Sequence, residues 1–288
     1  MDITLSIITI NYNGLKDTCE LIESLPLRSP SMEVIVVDNA SKEDEASIIE
    51  KRYPNIKVIR SNKNLGFAGG NNLGIKAARG KYLFFINNDT LLSHQPSAID
   101  SLISRLESDE KIGMVCPKIR FAWGNNPLQF AGYTPLSRFT MRNRSIGFGE
   151  TDKGQYDTPH STPYAHGAAM MVKREALDKV GIMPECYFLY YEELDWSMMF
   201  TRAGYTIWYE PACTIYHKES QATGQNSPLK VYYLTRNRLL FVKRNKKGYA
   251  KYITYTYLIC MVAPRDIIKY TLKGEFKLVL SVIKGLIK

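Results

Sequence analysis

Short apolar runs alternate with segments of helical period over the first 119 residues, and this alternation restricts the fold of the 288-residue chain more than any other feature. In the segment 15–25, apolar residues recur at spacings of three and four, as on one face of a helix. Strands that alternate with helices form a mainly parallel sheet covered on both faces. The predicted strands are 5–10, 33–37, 56–60, 81–86 and 112–116.

Two of the predicted strands stop abruptly at carboxylates. The run 33–37 is followed by Asp38-Asn39, and the run 82–86 is followed by Asn87-Asn88-Asp89. A single acid after a strand is usually a turn or helix-capping residue. In open α/β sheets, however, ligands bind at the carboxyl ends of the parallel strands. Two strands that deliver acids to one sheet edge therefore predict a binding site there.

Length and charge divide the chain into two unequal parts. A chain of 288 residues exceeds the usual single core but falls short of two full domains. We predict a catalytic domain over 1–226, with an irregular insertion or lid over 120–165, and a helical extension over 227–288. Residues 229–288 hold 14 Lys and Arg against 2 Asp and Glu, which leaves 24 against 26 elsewhere, so the net charge of +10 is C-terminal.

The basic extension mixes tyrosines and aliphatic residues with lysines, but its apolar runs are too short to cross a bilayer. Such a segment can lie on an anionic leaflet, and we predict peripheral membrane contact through 245–288. The alternative is that these helices pack on the catalytic domain and present lysines to water. The extension carries no recognised nucleic-acid motif, so no nucleic-acid partner is predicted.

The five cysteines form no C-x-x-C pair, so neither a zinc site nor a disulfide framework is indicated. The N-terminus enters the first apolar run without a basic leader or a cleavage site. We therefore expect a reducing, cytoplasmic location, at the inner face of the cell membrane if the extension binds lipid.

Three acids crowd one turn of a predicted helix, at Glu192, Glu193 and Asp195. One interpretation is that they complement the helix macrodipole at its N-terminus. The other is that one of them accepts a proton or lies near a metal ion, because adjacent acids repel one another. Glu192 and Asp195 share a helix face, and Glu193 points about 100° away. One of these acids is a candidate general base.

Seven ordered segments of the chain resemble family 2 glycosyltransferases, an inverting class with the GT-A fold, in the rhamnosyltransferase-like branch. The resemblance covers about residues 3 to 245. The matching segments are 7–14, 36–41, 64–74, 87–90, 167–174, 188–204, and His217 with the later 233–237. It implies transfer of a sugar from a nucleoside-diphosphate-sugar, with dTDP-L-rhamnose favoured, to a glycan or lipid-linked acceptor in cell-surface polysaccharide synthesis.

The resemblance also implies site residues. Asp38 and the segment 9–12 would hold the nucleotide base and ribose, and the glycine-rich segment 64–72, taken as a loop, would lie beside them. The full predicted substrate-binding set is Thr9, Asn11, Tyr12, Asp38, Asn39, Gly66, Phe67, Gly70, Asn71, Asn87, Asn88, Gly167, Trp196 and Arg236.

The last residue of Asn87-Asn88-Asp89 matches the metal-binding acid of the family's D-x-D motif, although both earlier positions are Asn here. Asp89 and His217 would hold a divalent ion, Mg²⁺ or Mn²⁺, beside the diphosphate. Glu193 matches the catalytic base of the family's E-D-x-D segment, with Glu in place of the more usual Asp, and Glu192 and Asp195 complete the predicted catalytic set.

Two other classes of protein remain as alternatives. A catalytically inactive sugar-nucleotide-binding or scaffold protein of the same fold would keep the nucleotide site and lose turnover. A nucleotidyltransferase would carry a lysine-rich phosphate loop after its first strand, where this chain has Asn11-Tyr12-Asn13-Gly14. The same stretch lacks G-x-G-x-x-G, which disfavours a dinucleotide-dependent dehydrogenase.

Overall fold

The computed structural model describes residues 3–26, 31–93, 98–219 and 227–287. The chain up to His217 forms one mixed β-sheet with helices packed on it. The strands are β1 Leu5–Asn11, β2 Met32–Asp38, β3 Lys57–Arg60, β4 Tyr82–Ile86, β5 Thr90–Leu92, β6 Ile112–Phe121, β7 Leu128–Phe130, β8 His160–Ser161, β9 Ala169–Lys173 and β10 Thr206–His217. The helices are α1 Leu15–Ser24, α2 Glu45–Arg52, α3 Gly66–Ala77, α4 Ala98–Glu107, α5 Arg174–Val180, α6 Glu192–Arg202, α7 Pro228–Asn245, α8 Gly248–Tyr257, α9 Ala263–Leu272 and α10 Phe276–Ile287.

Within the described ranges, the strands form one sheet in the order β3-β2-β1-β4-β9-β6-β10-β5, with β7 beside β6 and β8 beside β10. The strands β1 to β4 are parallel, as the alternation of strands and helices predicts. The central strand β4 is buried along its whole length, which explains its uninterrupted apolar sequence. The predicted α/β fold with a mainly parallel sheet is therefore confirmed.

The strand β9 is inserted antiparallel between β4 and β6, although it comes much later in the chain. Ala169 pairs with Ile86, so the segment just before β9 lies beside the Asn87–Asp89 turn. The last strand of the sheet, β5, runs antiparallel to β10 and sets Thr90 opposite His217. These two pairings gather residues from distant parts of the sequence at the carboxyl ends of the parallel strands, which we call the sheet edge.

The glycine-rich segment that the sequence presents as a loop is a helix over most of its length, because α3 begins at Gly66. The prediction of a loop there was wrong. A Cβ on Gly70 would lie 2.8 Å from Ile10 Cδ1, and a Cβ on Gly74 would lie 2.4 Å from Ile8 Cγ2. The glycines therefore serve close packing of α3 on β1, which outweighs their low helix propensity.

The segment 120–165 holds the short strands β7 and β8 within mostly irregular structure. Phe130 and Ala131 are fully buried in the main core, so this segment is anchored to the catalytic sheet. Gln129 of β7 contacts His217 through its side-chain oxygen. The segment thus supplies one wall of the site.

The described chain from Pro228 to Ile287 is mostly helical. Ser227 caps α7 by accepting a hydrogen bond from the Lys230 N–H, and Pro228 occupies the first turn. A π-helical turn, Leu258–Val262, joins α8 to α9. Side chains of α7 and of this turn pack with Tyr187 and Tyr191 in a second core beside the catalytic part. Among the residues described, no helix has both the length and the apolarity to cross a membrane.

Candidate functional site

The carboxyl ends of β1 and β2 carry a buried polar network. Asn11 Nδ2 donates to Asp38 Oδ1 over 2.9 Å and to Glu45 Oε2 over 2.7 Å. Ser41 Oγ also donates to Asp38 Oδ1, at 2.6 Å. Thr18 Oγ1 in turn donates to Asn11 Oδ1 over 2.7 Å. Asp38 is thereby fixed at the sheet edge, where a carboxylate can accept hydrogen bonds from a ribose or a base.

Asn39 organises the start of α3. Its amide donates to Asn64 Oδ1 and to the Gly66 carbonyl, both over 3.1 Å, and its Oδ1 accepts the Leu65 N–H. Gly66 has a φ of +72°, and a Cβ there would lie 2.0 Å from the Phe188 carbonyl oxygen. That position therefore requires glycine. Asn39 is 3% exposed, so it supports the start of α3 from within the structure.

Several other predicted nucleotide-binding residues also form the frame of the site. Thr9 is fully buried, and its Oγ1 lacks a hydrogen-bond partner in the described structure. Asn71 is 2% exposed, and its amide donates to the Phe67 carbonyl of its own helix. Tyr12, in contrast, is 44% exposed in the loop after β1, so its ring is open to a ligand.

The Asn87–Asp89 turn is joined to both sides of the site. The Asn87 N–H donates to the Ala168 carbonyl over 2.9 Å, which ties the turn to the segment before β9. The Asn88 amide donates to Thr18 Oγ1 over 3.0 Å. The resulting polar relay runs from Asn88 through Thr18 and Asn11 to Asp38 and connects the end of β4 with the end of β2.

Asp89 and His217 face each other across the pairing of β5 and β10. His217 Nε2 lies 3.2 Å from Asp89 Oδ1, and both side chains are largely buried. The other ring nitrogen, Nδ1, is 2.9 Å from Gln129 Oε1. Because an amide oxygen can only accept, Nδ1 carries the proton, and in the neutral ring Nε2 presents a lone pair to the carboxylate. A cation or a proton between these two atoms stabilises the arrangement.

The pair fits a divalent ion. Neighbouring ligands of an octahedral Mg²⁺ lie about 3 Å apart, which agrees with the separation of the two atoms. Within the described ranges, no group of three or more His, Cys, Asp and Glu side chains could hold a metal. Mg²⁺ is commonly bound through one or two carboxylates and completes its shell with water and substrate phosphates. Asp89 is a candidate ligand of this kind, with the His217 imidazole beside it.

Two aromatic residues that the sequence analysis did not select lie next to this pair. The His166 ring is 6.4 Å from the His217 ring and stacks on Tyr133 at 6.0 Å. Burial, followed by the charge of His217, lowers the pKa of His166 to about 3. His166 Nδ1 accepts the Ala168 N–H, so Nε2 carries the proton of the neutral ring. The sequence signal that could have identified His166 is its position directly before Gly167.

Glu193 lies at the N-terminus of α6, close to the segment before β9. A Cβ on Gly167 would be 3.8 Å from Glu193 Cγ and 4.0 Å from Phe67 Cζ, so these three residues share one surface. Burial raises the pKa of Glu193, while the backbone N–H groups at the start of its helix oppose the rise. A carboxylate with a raised pKa is a stronger proton acceptor than a solvated one.

Glu192 is more deeply buried than Glu193, with 4% exposure, and its Oε2 lacks a hydrogen-bond partner in the described structure. Burial, and then the charge of Glu193, raise the pKa of Glu192 well above its usual range. Burial and the charge of Glu193 thus both favour the neutral form of Glu192. A neutral Glu192 would remove the repulsion between the two adjacent acids.

The structure separates the other two predicted residues of this segment from Glu193. Asp195 is fully buried and accepts from Arg244 Nε at 2.5 Å and from Asn245 Nδ2 at 2.8 Å, so its carboxylate is occupied by α7. Trp196 is also fully buried, with its Nε1 donating to the Gly181 carbonyl. Asp195 thus joins α6 to α7, and Trp196 belongs to the core. Neither geometry agrees with the predicted catalytic or substrate contact.

Arg236 lines an open groove of about 420 Å³ together with Glu185, Phe188 and Tyr233. One of its guanidinium nitrogens donates to the Cys186 carbonyl over 3.1 Å and to Asn237 Oδ1 over 2.7 Å. The groove adjoins the site, because the Phe188 carbonyl accepts the Phe67 N–H over 2.9 Å. Arg236 therefore supports the loop between α5 and α6 and presents charge next to the start of α3.

Comparisons of the sequence identify similar proteins. The chain is 25% identical over 288 residues to the low-salt glycan biosynthesis hexosyltransferase Agl10 of Haloferax volcanii, covering 98% of this chain and 89% of that protein. It is 24% identical over 245 residues to an N-acetylglucosaminyl-diphospho-decaprenol L-rhamnosyltransferase of Mycobacterium tuberculosis (strain ATCC 25618 / H37Rv), covering 77% of this chain and 78% of that protein.

Solved structures share the fold at low sequence identity. GalNAc-T7 with UDP, GalNAc and Mn²⁺ aligns with a TM-score of 0.63 at 16% identity, over 93% of this chain and 58% of that one. S. aureus TarS 1-349 with UDP-GlcNAc aligns with a TM-score of 0.60 at 17% identity, over 99% of this chain and 80% of that one. The glycosyl transferase family 2 model matches residues 6–181. The chain therefore belongs to glycosyl transferase family 2 and has the GT-A fold.

Proposed function

We propose that this protein is a metal-dependent inverting hexosyltransferase in which Glu193 is the general base. The observation that carries the proposal is the position of two groups at one sheet edge. Glu193 lies against Gly167, and the Asp89–His217 pair lies against the neighbouring His166. A base and a metal-binding pair on either side of one short segment can act on opposite faces of one anomeric carbon. The base would act on the acceptor hydroxyl and the metal ion on the departing diphosphate.

The donor would lie along the polar relay. Asp38 and the exposed Tyr12 would hold the nucleoside, and the diphosphate would extend toward Asp89 and His217. When bound, the divalent ion supplies positive charge that stabilises the departing diphosphate. Asn87 holds the turn through its backbone N–H, and the Asn88 amide belongs to the polar relay. Asp89 would then be the single acidic metal ligand of the triplet.

Glu193 would accept the proton of the acceptor hydroxyl as that oxygen attacks the anomeric carbon. The new carbon–oxygen bond forms while the bond between the anomeric carbon and the diphosphate oxygen breaks. Attack and departure occur on opposite faces of the sugar, so one displacement inverts the anomeric configuration. No covalent bond between sugar and enzyme forms in this sequence.

The names of the relatives guide the choice of substrates. One is a hexosyltransferase of glycan biosynthesis, and another is an L-rhamnosyltransferase that acts on N-acetylglucosaminyl-diphospho-decaprenol. We propose a glycan or lipid-linked acceptor in cell-surface polysaccharide synthesis, with dTDP-L-rhamnose as the first donor to test. The alternative is an inactive protein that binds the same sugar-nucleotide.

The test is nucleotide release and sugar transfer from a panel of dTDP-, UDP- and GDP-sugars, with Mg²⁺, with Mn²⁺ and with EDTA. We expect one donor to react, only with metal, and Glu193→Gln to lower the rate at least about 100-fold while nucleotide affinity stays within about twofold. Asp89→Asn should abolish the response to metal. Undiminished turnover in Glu193→Gln refutes the assignment of the base, and nucleotide binding without turnover on any acceptor favours the inactive protein.

A further inference from the structure

The outer faces of α9 and α10 expose large apolar side chains next to lysines. Leu272 is 83% exposed and Phe276 is 67% exposed, and they flank the turn between the two helices. Ile268 on α9, and Leu280 and Ile287 on α10, are also exposed, at 58%, 50% and 80%. We call these five residues the hairpin surface.

The hairpin surface is separate from the side chains that hold the two helices in place. The inner faces of α9 and α10 pack on α7 through a small core of Val231, Ala263, Leu278 and Val282. The packing of these helices does not require five further large apolar side chains at positions exposed to water. Contiguous apolar patches of this kind mark a contact with another molecule or a membrane.

The charge next to the hairpin surface is positive. Lys269, Lys273, Lys277 and Lys284 are exposed on the same two helices. Asp266 is paired with the neighbouring Arg265 at 2.7 Å, which leaves Glu275 as the other acid of the hairpin. Lysines that flank apolar side chains match the charge and the polarity profile of an anionic leaflet, in which phosphates surround the acyl chains.

We propose that the hairpin surface docks on an anionic phospholipid bilayer, with Leu272 and Phe276 inserted at the turn. The helix α10 has 12 residues and is about 18 Å long, shorter than the roughly 30 Å hydrocarbon core, so it lies in the interface. Within the predicted contact through 245–288, the proposal assigns the inserted side chains to α9 and α10, because Tyr249 and Tyr257 of α8 contact Arg138 and Arg142 of the catalytic part. Tyr252 and Met261, at 73% and 63% exposure, are further exposed side chains outside the hairpin surface.

Docking through this surface has a consequence for the substrate. It holds the enzyme where a lipid-linked acceptor is found, and in this respect it rests on the proposed function. The physical claim about the bilayer does not depend on catalysis. It can be measured with the full chain and vesicles alone, without a donor or an acceptor.

The experiment is co-sedimentation of the full chain with vesicles of phosphatidylcholine alone or mixed equally with phosphatidylglycerol. We expect wild type to prefer the anionic vesicles at least about 100-fold. Leu272→Glu/Phe276→Glu should lower that affinity at least about 100-fold, because burial of each side chain contributes more than a tenfold factor. Phe148→Glu is the matched control, since Phe148 is 62% exposed on the catalytic part, and it should bind as wild type does.

A charge variant separates the two contributions. Lys269→Gln/Lys273→Gln/Lys277→Gln should lower affinity for anionic vesicles about 100-fold and leave binding to neutral vesicles unchanged. Circular dichroism and metal-dependent nucleotide release without vesicles show whether each variant is folded and active. Loss of nucleotide release in wild type would count against the proposed function and leave the vesicle result standing.

Three outcomes overturn the docking proposal. The first is a wild-type protein that does not sediment with anionic vesicles. The second is equal binding by Leu272→Glu/Phe276→Glu. The third is a dimer that this variant converts to a monomer without a change in vesicle binding, which would assign the hairpin surface to a second copy of the chain.

Discussion

At the scale of single residues, the two glutamates at the start of α6 differ because of their surroundings. Glu192 is buried without a partner for Oε2, whereas Glu193 lies at the surface shared with Gly167 and Phe67. The surroundings of Glu192 therefore raise its pKa strongly, while Glu193 is the candidate proton acceptor. We expect the raised pKa of Glu192 to appear in the pH dependence of stability.

We predict that Glu192→Gln flattens the dependence of stability on pH. The folded pKa of Glu192 is raised above its unfolded value of 4.5, so above that pH the folded state binds more protons than the unfolded state. The free energy of unfolding then falls as pH rises, by up to about 1.4 kcal/mol per pH unit. The variant lacks this slope.

Urea denaturation of wild type and Glu192→Gln at several values from about pH 5 to 8 measures the effect. Glu175→Gln is the matched control, because Glu175 is an exposed acid in the first turn of α5 and its loss should leave the slope as in wild type. Parallel curves for wild type and Glu192→Gln would contradict the prediction.

The residues of the candidate site could be predicted from the sequence better than the directions in which their side chains point. Asp38 ends β2, Asp89 follows β4 and His217 ends β10, and these strand ends could be recognised from apolar runs. The roles of these residues and of Glu193 stay predictions. Asp195 and Trp196 were not placed correctly. The orientation of α6 depends on Tyr190 and Tyr191, whose φ values of +70° and +78° are uncommon for residues other than glycine and carry no sequence signal.

At the scale of elements, the packing of α3 on β1 explains why a segment so rich in glycine is helical. We predict that Gly74→Ala and Gly70→Ala have different effects on stability. Each gains about 1 kcal/mol of helix propensity. The new Cβ at Gly74 meets the fixed Cγ2 of Ile8, however, whereas the one at Gly70 meets the mobile end of Ile10.

Gly74→Ala should therefore lose about 1 to 2 kcal/mol overall, and Gly70→Ala should stay within about 0.5 kcal/mol of wild type. The midpoints of urea denaturation provide the measurement. Adding Ile10→Val, which removes Cδ1, should make Gly70→Ala stabilising. A Gly74→Ala protein as stable as wild type would show that β1 can move away from α3.

The pair Asp195 and Arg244 links α6 to α7. We predict that Arg244→Met costs about 2 kcal/mol of stability, because it leaves the fully buried Asp195 with fewer partners. The cost is below that of a completely buried pair, since the Arg244 side chain is 38% exposed and partly screened by solvent.

Arg60→Met is the control for this change, because Arg60 pairs with Glu50 on the surface and its loss should cost less stability than that of Arg244. Thermal denaturation of the two variants beside wild type compares them. Equal losses in both would show that burial of Asp195 adds nothing to the pair.

Elements were predicted well where one local pattern decides their structure. The strands β1, β2 and β4 are buried apolar runs, and the helices α1 and α4 show a regular apolar face. The helix α3 was missed because tertiary packing overrides its propensity. The placement of β9 between β4 and β6 could not be predicted, because pairing with strands so distant in sequence leaves no local pattern.

At the scale of the whole molecule, ligand binding at the sheet edge should stabilise the complete catalytic part. We predict that the nucleoside diphosphate product together with Mn²⁺, each at about 100 times its dissociation constant, raises the free energy of unfolding by at least about 2.7 kcal/mol. For a chain of this size, that corresponds to a rise in Tm of at least about 5 °C.

His217→Ala should remove the part of this rise that depends on Mn²⁺ and keep the part due to nucleotide alone. The matched control is His160→Ala, because His160 lies on β8 away from the metal pair. A metal-dependent shift that is the same in His217→Ala and in wild type would exclude His217 as a ligand.

The polar relay from Asn88 to Asp38 gives the two ends of the site a shared set of hydrogen bonds. Thermodynamic linkage then sets a rule for the two ligands. Whatever factor the ion adds to the affinity for nucleotide, the nucleotide must add to the affinity for the ion. Under the proposed function, an ion and a nucleotide that favour each other's binding would leave the metal held most tightly while the donor is present and least tightly after the nucleotide has left. The cell's supply of free divalent ion would then act as a control on each round of transfer.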